Sequence, residues 1–154
     1  FGLRREEALK IRPWSADKGD SLHLQASWCK GGRERDISLR TEAQRAALDN
    51  AKRVTEQNNG RRGSLIPNDK SYVEHKRLYE RETLAAGIDG HGVRHNYAQE
   101  RYKELTGLDC PKAGGPTWQA LTDGQRSEAR EARLEIAEEL GHGREIIANN
   151  YLGR

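Results

Sequence analysis

The chain has 154 residues, of which 34% are hydrophobic and 33% are charged, and its formal net charge is +3. This length favours one domain with a modest core, and the near balance of charges excludes a disordered polyelectrolyte. Runs of apolar residues are short throughout, so the sequence predicts neither a membrane span nor a signal peptide. Two cysteines, Cys29 and Cys110, are too few for a disulfide scaffold and are typical of a reducing compartment.

The first part of the chain predicts helices around one β-hairpin. Leu22 and Leu24 alternate with polar residues, which is a strand pattern, and Lys30-Gly31-Gly32 provides a turn before a second alternating segment. Thr41-Glu42-Ala43-Gln44 has the pattern of a helix-opening capping box. In chain order the predicted elements are a helix over 4–11, strands over 21–25 and 35–39, a helix from Thr41 to about Gln57, and a basic loop over 58–63.

The second part predicts four further helices and one long loop over 108–121. Glycines and a second capping box at Thr122 set most of the helix ends. The predicted helices run from Asn68 or Asp69 through Ala86, from about Gly92 to Thr106, from Thr122 through Leu140, and from about Arg144 to Asn149. The fold class predicted from this order is α+β and mostly α-helical, with a small antiparallel sheet near the N-terminus.

The charge is unevenly distributed along the chain. Residues 1–70 carry 15 basic and 10 acidic side chains, whereas residues 71–154 carry 12 basic and 14 acidic ones. A basic half suits a phosphate-rich partner such as nucleic acid, although a solvated surface explains the same excess equally well.

Two motifs could carry chemistry. His91-Gly92-Val93-Arg94 places an imidazole and a guanidinium on one face near a helix N-terminus, which favours anions. His91 and His95 also have the spacing of a zinc pair, but the intervening Glu of a metalloprotease helix is missing. Leu140-Gly141-His142 ends another helix and is followed nine residues later by Tyr151. Each motif taken alone is better explained by a structural role.

Together, four segments in order resemble the tyrosine recombinases, the family of the phage integrases. Gly2-Leu3-Arg4-Arg5-Glu6-Glu7 is similar to the family's Gly-Leu-Arg-x-x-Glu stretch, and Cys29-Lys30-Gly31-Gly32 is similar to its lysine-bearing hairpin turn. The other two segments match its His-x-x-Arg box and its Leu-Gly-His followed by the nucleophilic tyrosine. The resemblance implies a tyrosine-recombinase catalytic domain over residues 1–154 and these catalytic residues: Arg4, Lys30, His91, Arg94, His142 and Tyr151.

The reaction that the resemblance implies moves a DNA phosphodiester onto a tyrosine and back, without a metal or other cofactor. Tyr151 would form a 3′-phosphotyrosine intermediate, while Arg4 and Arg94 grip the non-bridging oxygens with forked donors. A phenol of ordinary pKa, about 10, is a weak nucleophile and needs a base and cationic surroundings. His91 is the candidate acid or base. His142 would donate a hydrogen bond to the phosphate, and Lys30 would protonate the departing 5′-oxygen.

The implied partner is double-stranded DNA, bound as a homotetramer by the full-length protein in a prokaryotic cytoplasm, at the nucleoid. Because the chain starts in mid-pattern without Met, we expect a fragment lacking the family's N-terminal DNA-clamping domain, and monomeric by itself. The interval from His91 to His142 is longer than is usual in the family, and we expect the additional length in 108–139. The arginines expected to hold the DNA backbone are Arg33, Arg35, Arg40, Arg61 and Arg62.

Two alternative functions remain open at this stage. A type IB topoisomerase-like enzyme would share the covalent tyrosine and the arginine pair, but the spacing from Leu-Gly-His to Tyr151 favours a recombinase. A non-catalytic integrase relative would only occupy DNA sites. The presence of all six reactive residues argues against that second alternative.

Overall fold

Seven α-helices and one two-stranded antiparallel sheet form the chain in the computed structural model, which describes all of residues 1–154. In chain order they are α1 (Arg5–Lys10), α2 (Pro13–Ala16), β1 (Ser21–Leu24), β2 (Arg35–Ser38), α3 (Glu42–Asn58), α4 (Tyr72–Ala85), α5 (Gly90–Thr106), α6 (Asp123–Glu139) and α7 (Asn149–Leu152). The predicted class, α+β and mostly helical with a small sheet near the N-terminus, is confirmed. None of the helices combines the length and the apolar character needed to cross a lipid bilayer.

The chain divides into two compact units. Phe1 and residues 3–90 form the first unit, and Gly2 and residues 91–154 form the second. Each unit contains one free cysteine, Cys29 in the first and Cys110 in the second, and both are buried. The prediction that residues 1–154 are one catalytic domain stays a prediction.

The sheet of the first unit is the predicted hairpin. β1 pairs with β2 in an antiparallel register that sets Leu22 opposite Ile37. Both residues are buried, as is Leu24, because alternate residues of a strand point to the same face. The connection between the strands is wide and contains two 3₁₀ turns, Ala26–Trp28 and Lys30–Gly32. The glycines therefore lie in the connection, as the sequence predicts.

Helix starts follow the capping boxes. The hydroxyl oxygen of Thr41 accepts from the backbone N–H of Gln44 at 3.1 Å, which confirms the predicted start of α3. The predicted cap of α4 at Asn68 or Asp69 is wrong. Ser71 caps this helix instead, because Glu74 three residues later accepts from the Ser71 backbone N–H at 2.8 Å and completes the box.

In the second unit, α5 starts at Gly90, two residues before the predicted start, and ends at Thr106 as predicted. α6 begins after its Thr122 cap and packs against the C-terminal segment. The predicted last helix over 144–149 is wrong in its bounds. A 3₁₀ turn over Glu145–Ala148 leads directly into α7, so Tyr151 lies within a helix.

Candidate active site

Three predicted residues of the second unit meet through hydrogen bonds. Arg94 Nε donates to the phenol oxygen of Tyr151 at 3.1 Å, and His142 Nε2 lies 3.1 Å from the same oxygen. Arg94 Nη2 is 3.3 Å from His142 Nε2. Arg94 is on α5, His142 follows the end of α6 and Tyr151 is on α7. Side chains from three separate elements thus converge on one phenol oxygen.

Donor and acceptor roles in this group follow from its chemistry. Arginine only donates, so the Tyr151 oxygen accepts from Arg94 and its own hydrogen is available for His142. Arg94 Nη2 also presents a hydrogen to His142 Nε2. Because arginine cannot accept, the contact with Arg94 requires that Nε2 accept, and Nε2 can then accept from the phenol as well. These roles fit the imidazole tautomer with its proton on Nδ1. In this arrangement His142 can receive the phenol proton.

Backbone carbonyls hold the Arg94 guanidinium in place. Its Nη1 donates to the carbonyl oxygen of Gly2 and its Nη2 to that of Leu140, and Arg94 is only 4% exposed. Gly2 has φ +60°, and a Cβ atom there would lie 2.5 Å from a ring atom of Tyr97. Only glycine brings this carbonyl to Arg94 without strain.

Two further histidines of α5, His95 and His91, extend this group of side chains through ring contacts. The ring of His95 lies 4.9 Å from the ring of Tyr151 between centroids, and the ring of His91 lies 5.0 Å from that of His95. The predicted acid or base, His91, therefore contacts His95 at the exposed start of the helix. His95 was not among the predicted site residues, although its four-residue spacing from His91 is the signal that places both on one helix face.

In the first unit, a buried carboxylate organises two arginines. Glu7, which is 0% exposed, accepts from Arg35 through both carboxylate oxygens, at 3.1 and 2.9 Å. Arg4, at the N-cap of α1, donates to it from its Nη1 at 3.1 Å and from its backbone N–H at 2.7 Å. Lys30 is exposed in the Lys30–Gly32 turn. Glu7 therefore fixes the predicted phosphate-binding Arg4, which is the buttressing role expected of a buried carboxylate between two guanidiniums.

Glu7 should also set the acid sensitivity of the first unit. Burial favours the neutral acid, but hydrogen bonds from Arg35 and from the Arg4 backbone outweigh it and hold the pKa of Glu7 below its ordinary value of 4.5. Its stabilisation is therefore full above pH 4.5 and is lost as the pH falls through the lowered pKa. We expect Glu7→Gln to lower the free energy of unfolding at neutral pH by about 3 kcal/mol.

Denaturant unfolding at several pH values measures this effect. Glu7→Gln should lose less stability than the wild type between neutral and acid pH. The matched control is Glu6→Gln on the same helix, which removes only a partly exposed pair with Lys10 and should change little. Equal effects of the two variants would contradict the organising role of Glu7.

The predicted DNA-backbone arginines lie in different surroundings. Arg33 and Arg62 are exposed. Arg40 donates to the Ser38 carbonyl, and Arg61 lies over the Trp14 ring at 4.4 Å. Arg35 is the buried partner of Glu7, with only 8% of its side chain exposed. Contact of these five side chains with DNA stays a prediction, and Arg35 has a structural partner in addition.

The candidate site residues thus form two groups, each within its own unit. Arg94, His142 and Tyr151 meet in the second unit, with His91 joined to them through His95. Arg4 is held by Glu7 in the first unit, where Lys30 lies in the hairpin connection. No group of three or more His, Cys, Asp or Glu side chains is arranged to hold a metal ion.

Comparison with known proteins identifies the family. No curated protein and no solved structure matches the chain. A family model described as Integrase matches residues 1–100 of the 154. The matched region includes Arg4, Lys30, His91 and Arg94, whereas His142 and Tyr151 lie beyond it. Because this match covers well over half of the chain and agrees with the resemblance of its motifs to the phage integrases, the chain belongs to the integrase family.

Proposed function

We propose that this integrase is a site-specific DNA recombinase in which Tyr151 is the nucleophile. Membership of the family makes DNA recombination the general activity and DNA the partner. The main support for the tyrosine mechanism is that the phenol oxygen of Tyr151 lies 3.1 Å from both Arg94 Nε and His142 Nε2. A phenol between a guanidinium and an accepting imidazole is prepared for attack, because the proton acceptor is already within hydrogen-bond distance.

In the cleavage step, the Tyr151 oxygen attacks the phosphorus of a DNA phosphodiester. A bond forms between the phenol oxygen and phosphorus, and the bond from phosphorus to the 5′-oxygen breaks. The phenol proton passes to an imidazole, and the 5′-oxygen takes a proton from Lys30. His91 is the acid or base that the motif predicts, but His142 is the imidazole within hydrogen-bond distance of the phenol. We therefore assign the first proton transfer to His142.

Two guanidiniums stabilise the charge that develops on the phosphate. Arg94 is fixed by the carbonyl oxygens of Gly2 and Leu140, and Arg4 is fixed by Glu7. Groups held rigidly before the reaction need no reorganisation in the transition state, which makes their charge effective. Strand exchange and reversal of the same step rejoin the DNA, since the phosphotyrosine bond conserves the phosphodiester energy. We expect these steps to take place within a homotetramer on DNA.

Trapping of the covalent intermediate tests this mechanism. The protein is incubated with nicked suicide substrates, from which the cleaved strand diffuses away, and a protein–DNA adduct is sought by denaturing electrophoresis. Nuclease trimming and peptide mass mapping should then locate the added nucleotide on Tyr151. Absence of an adduct, or its location on another residue, would refute the assignment.

The exposed arginines should make DNA binding depend on salt. In a plot of the logarithm of the binding constant against the logarithm of the salt concentration, each phosphate contact contributes about −0.9 to the slope. Arg62 is exposed in the basic loop over 58–63, so Arg62→Gln should weaken binding and make the slope shallower by about one. Fluorescence anisotropy with labelled DNA at several salt concentrations measures both the affinity and this slope. As a control, Arg126→Gln removes an arginine paired with Asp123 in the acidic half and should leave the slope unchanged.

A further inference from the structure

The helix that carries Tyr151 is too short to be stable alone. α7 has four residues, whereas isolated helices shorter than about 12 residues are marginal in water. The direction of the Tyr151 side chain therefore depends on what holds this single turn. Contacts to α7 from the rest of the second unit decide where the phenol oxygen lies.

One buried guanidinium contacts both ends of this turn. Nη1 of Arg133, on α6, donates to the side-chain oxygen of Asn149 at 2.6 Å and to the carbonyl oxygen of Gly153 at 3.0 Å. Asn149 is the first residue of α7, and Gly153 directly follows its last residue. Tyr151 lies between the two attachment points. Rotation or translation of α7 would break one of these hydrogen bonds.

The surroundings of Arg133 are unusual for a residue that only fills the core. It is 4% exposed, no carboxylate forms an ion pair with it, and its Nε has no hydrogen-bond partner. Its guanidinium lies 5.6 Å from the centre of the Tyr102 ring. Burial of a charge without an opposite charge costs stability. An apolar side chain would fill the same space without that cost, which indicates that the arginine is present for its polar contacts, and those to Asn149 and Gly153 hold α7.

Gly153 completes the attachment. Its φ is +80°, and a Cβ atom there would lie 3.2 Å from atoms of Pro111 and Lys112. The close approach lets the 3₁₀ turn over Pro111–Ala113 pack on the end of α7, where Lys112 Nζ donates to the carbonyl oxygen of Asn150. The loop over 108–121 thus supports the same helix that Arg133 holds.

We propose that Arg133 is a positioning residue for the nucleophile, which keeps the α7 turn where the Tyr151 oxygen meets Arg94 and His142. The proposal rests on the proposed function of Tyr151, but its structural part concerns the DNA-free protein. Because small displacements of a reacting group lower rates steeply, Arg133→Met should slow adduct formation at saturating DNA by about 10- to 100-fold. The dissociation constant for DNA should stay within about twofold, since Arg133 is buried away from solvent and its charge adds little to DNA attraction.

Rates of adduct formation are compared for four proteins: wild type, Arg133→Met, Asn149→Ala and Arg130→Met. Asn149→Ala removes one acceptor of Arg133 and leaves the buried guanidinium in place, so it tests the contact even if Arg133→Met folds poorly. We expect it to slow adduct formation by about 3- to 10-fold. Arg130 is the matched control, because it lies one turn away on α6 with 74% of its side chain exposed. Arg130→Met should behave like the wild type.

A spectroscopic readout separates positioning from general stability. Tyrosine labelled with ¹³C at Cζ gives five resonances, one for each tyrosine, and the Tyr151 resonance is assigned as the one absent from Tyr151→Phe. In DNA-free protein, Arg133→Met and Asn149→Ala should shift or broaden the Tyr151 resonance, and Arg130→Met should not. An unchanged Tyr151 resonance, or a loss of adduct rate that only follows the melting temperature, would overturn the positioning role. Absence of any adduct with the wild type would refute the proposed function, while the resonance would still decide whether Arg133 positions Tyr151.

Discussion

Replacement of Tyr151 by Phe is expected to abolish the covalent protein–DNA adduct and to leave DNA binding almost intact. The substitution removes one oxygen atom, the only atom that forms the bond to phosphorus in the proposed step. The ring remains in place against His95, 4.9 Å away between centroids, so packing of α7 should be preserved. Suicide-substrate trapping and anisotropy on the same protein samples measure both quantities. An adduct of undiminished yield would show that Tyr151 is not the nucleophile.

A second buried tyrosine provides the matched control for this result. Tyr97 is 9% exposed, and its hydroxyl donates to Glu139 at 2.7 Å. Tyr97→Phe also removes one oxygen and leaves a buried carboxylate with one donor fewer, which should lower the free energy of unfolding by about 1–3 kcal/mol. Its adduct yield should stay close to that of the wild type under conditions where it is folded. Loss of adduct in both variants would instead point to lost stability as the cause.

Arg94→Lys should reduce the cleavage rate by about 30- to 1000-fold, which corresponds to roughly 2–4 kcal/mol of transition-state stabilisation. Lysine keeps the charge, but one ammonium lacks the planar fork that reaches the carbonyl oxygens of Gly2 and Leu140 together with Tyr151. Binding of intact DNA, which is spread over many arginines, should fall far less. Single-turnover cleavage at saturating DNA and anisotropy distinguish the two effects.

Arg101→Lys is the control for the general effect of replacing a buried arginine on α5. Arg101 lies two turns further along α5, is 8% exposed and pairs with Glu139 and Glu135. Its substitution should lower the melting temperature without a specific loss of cleavage. Arg4→Lys should resemble Arg94→Lys if Arg4 also grips the phosphate. Cleavage that falls equally in the Arg94 and Arg101 variants, in step with stability, would contradict the phosphate-binding assignment.

The sequence was most informative where a property depends on residues close in the chain. The capping box at Thr41, the glycine stops after Thr106 and Leu140, and the alternation in the hairpin are local signals, and the elements they predict are present. The motifs also predicted Arg94, His142 and Tyr151 as one group, and these side chains meet. That grouping came from resemblance to a family, since nothing in the spacing alone brings α5 to α7.

Contacts between residues far apart in the chain are the main features that the sequence patterns do not predict. The pairing of Glu7 with Arg35 joins residues 28 positions apart. The sequence alone does not distinguish a buried arginine from an exposed one. The burial of Arg133 could not be predicted either, because a charged residue on a charged helix usually faces solvent. The start of α4 was missed for a local reason, since several polar residues that can cap a helix stand next to one another before Tyr72 and only Ser71 has Glu74 at the required distance.

The distribution of the two cysteines gives each compact unit its own chemical reporter. Burial is the main reason that the pKa of the Cys29 thiol is raised, so this thiol stays protonated and shielded in the folded first unit. Cys110 is fully buried in the second unit. An alkylating reagent reaches either sulfur only when the surrounding structure opens, and the two modified peptides have different masses. Alkylation rates therefore measure the opening free energy of the hairpin-bearing unit and of the Tyr151-bearing unit separately, in a single unmutated sample.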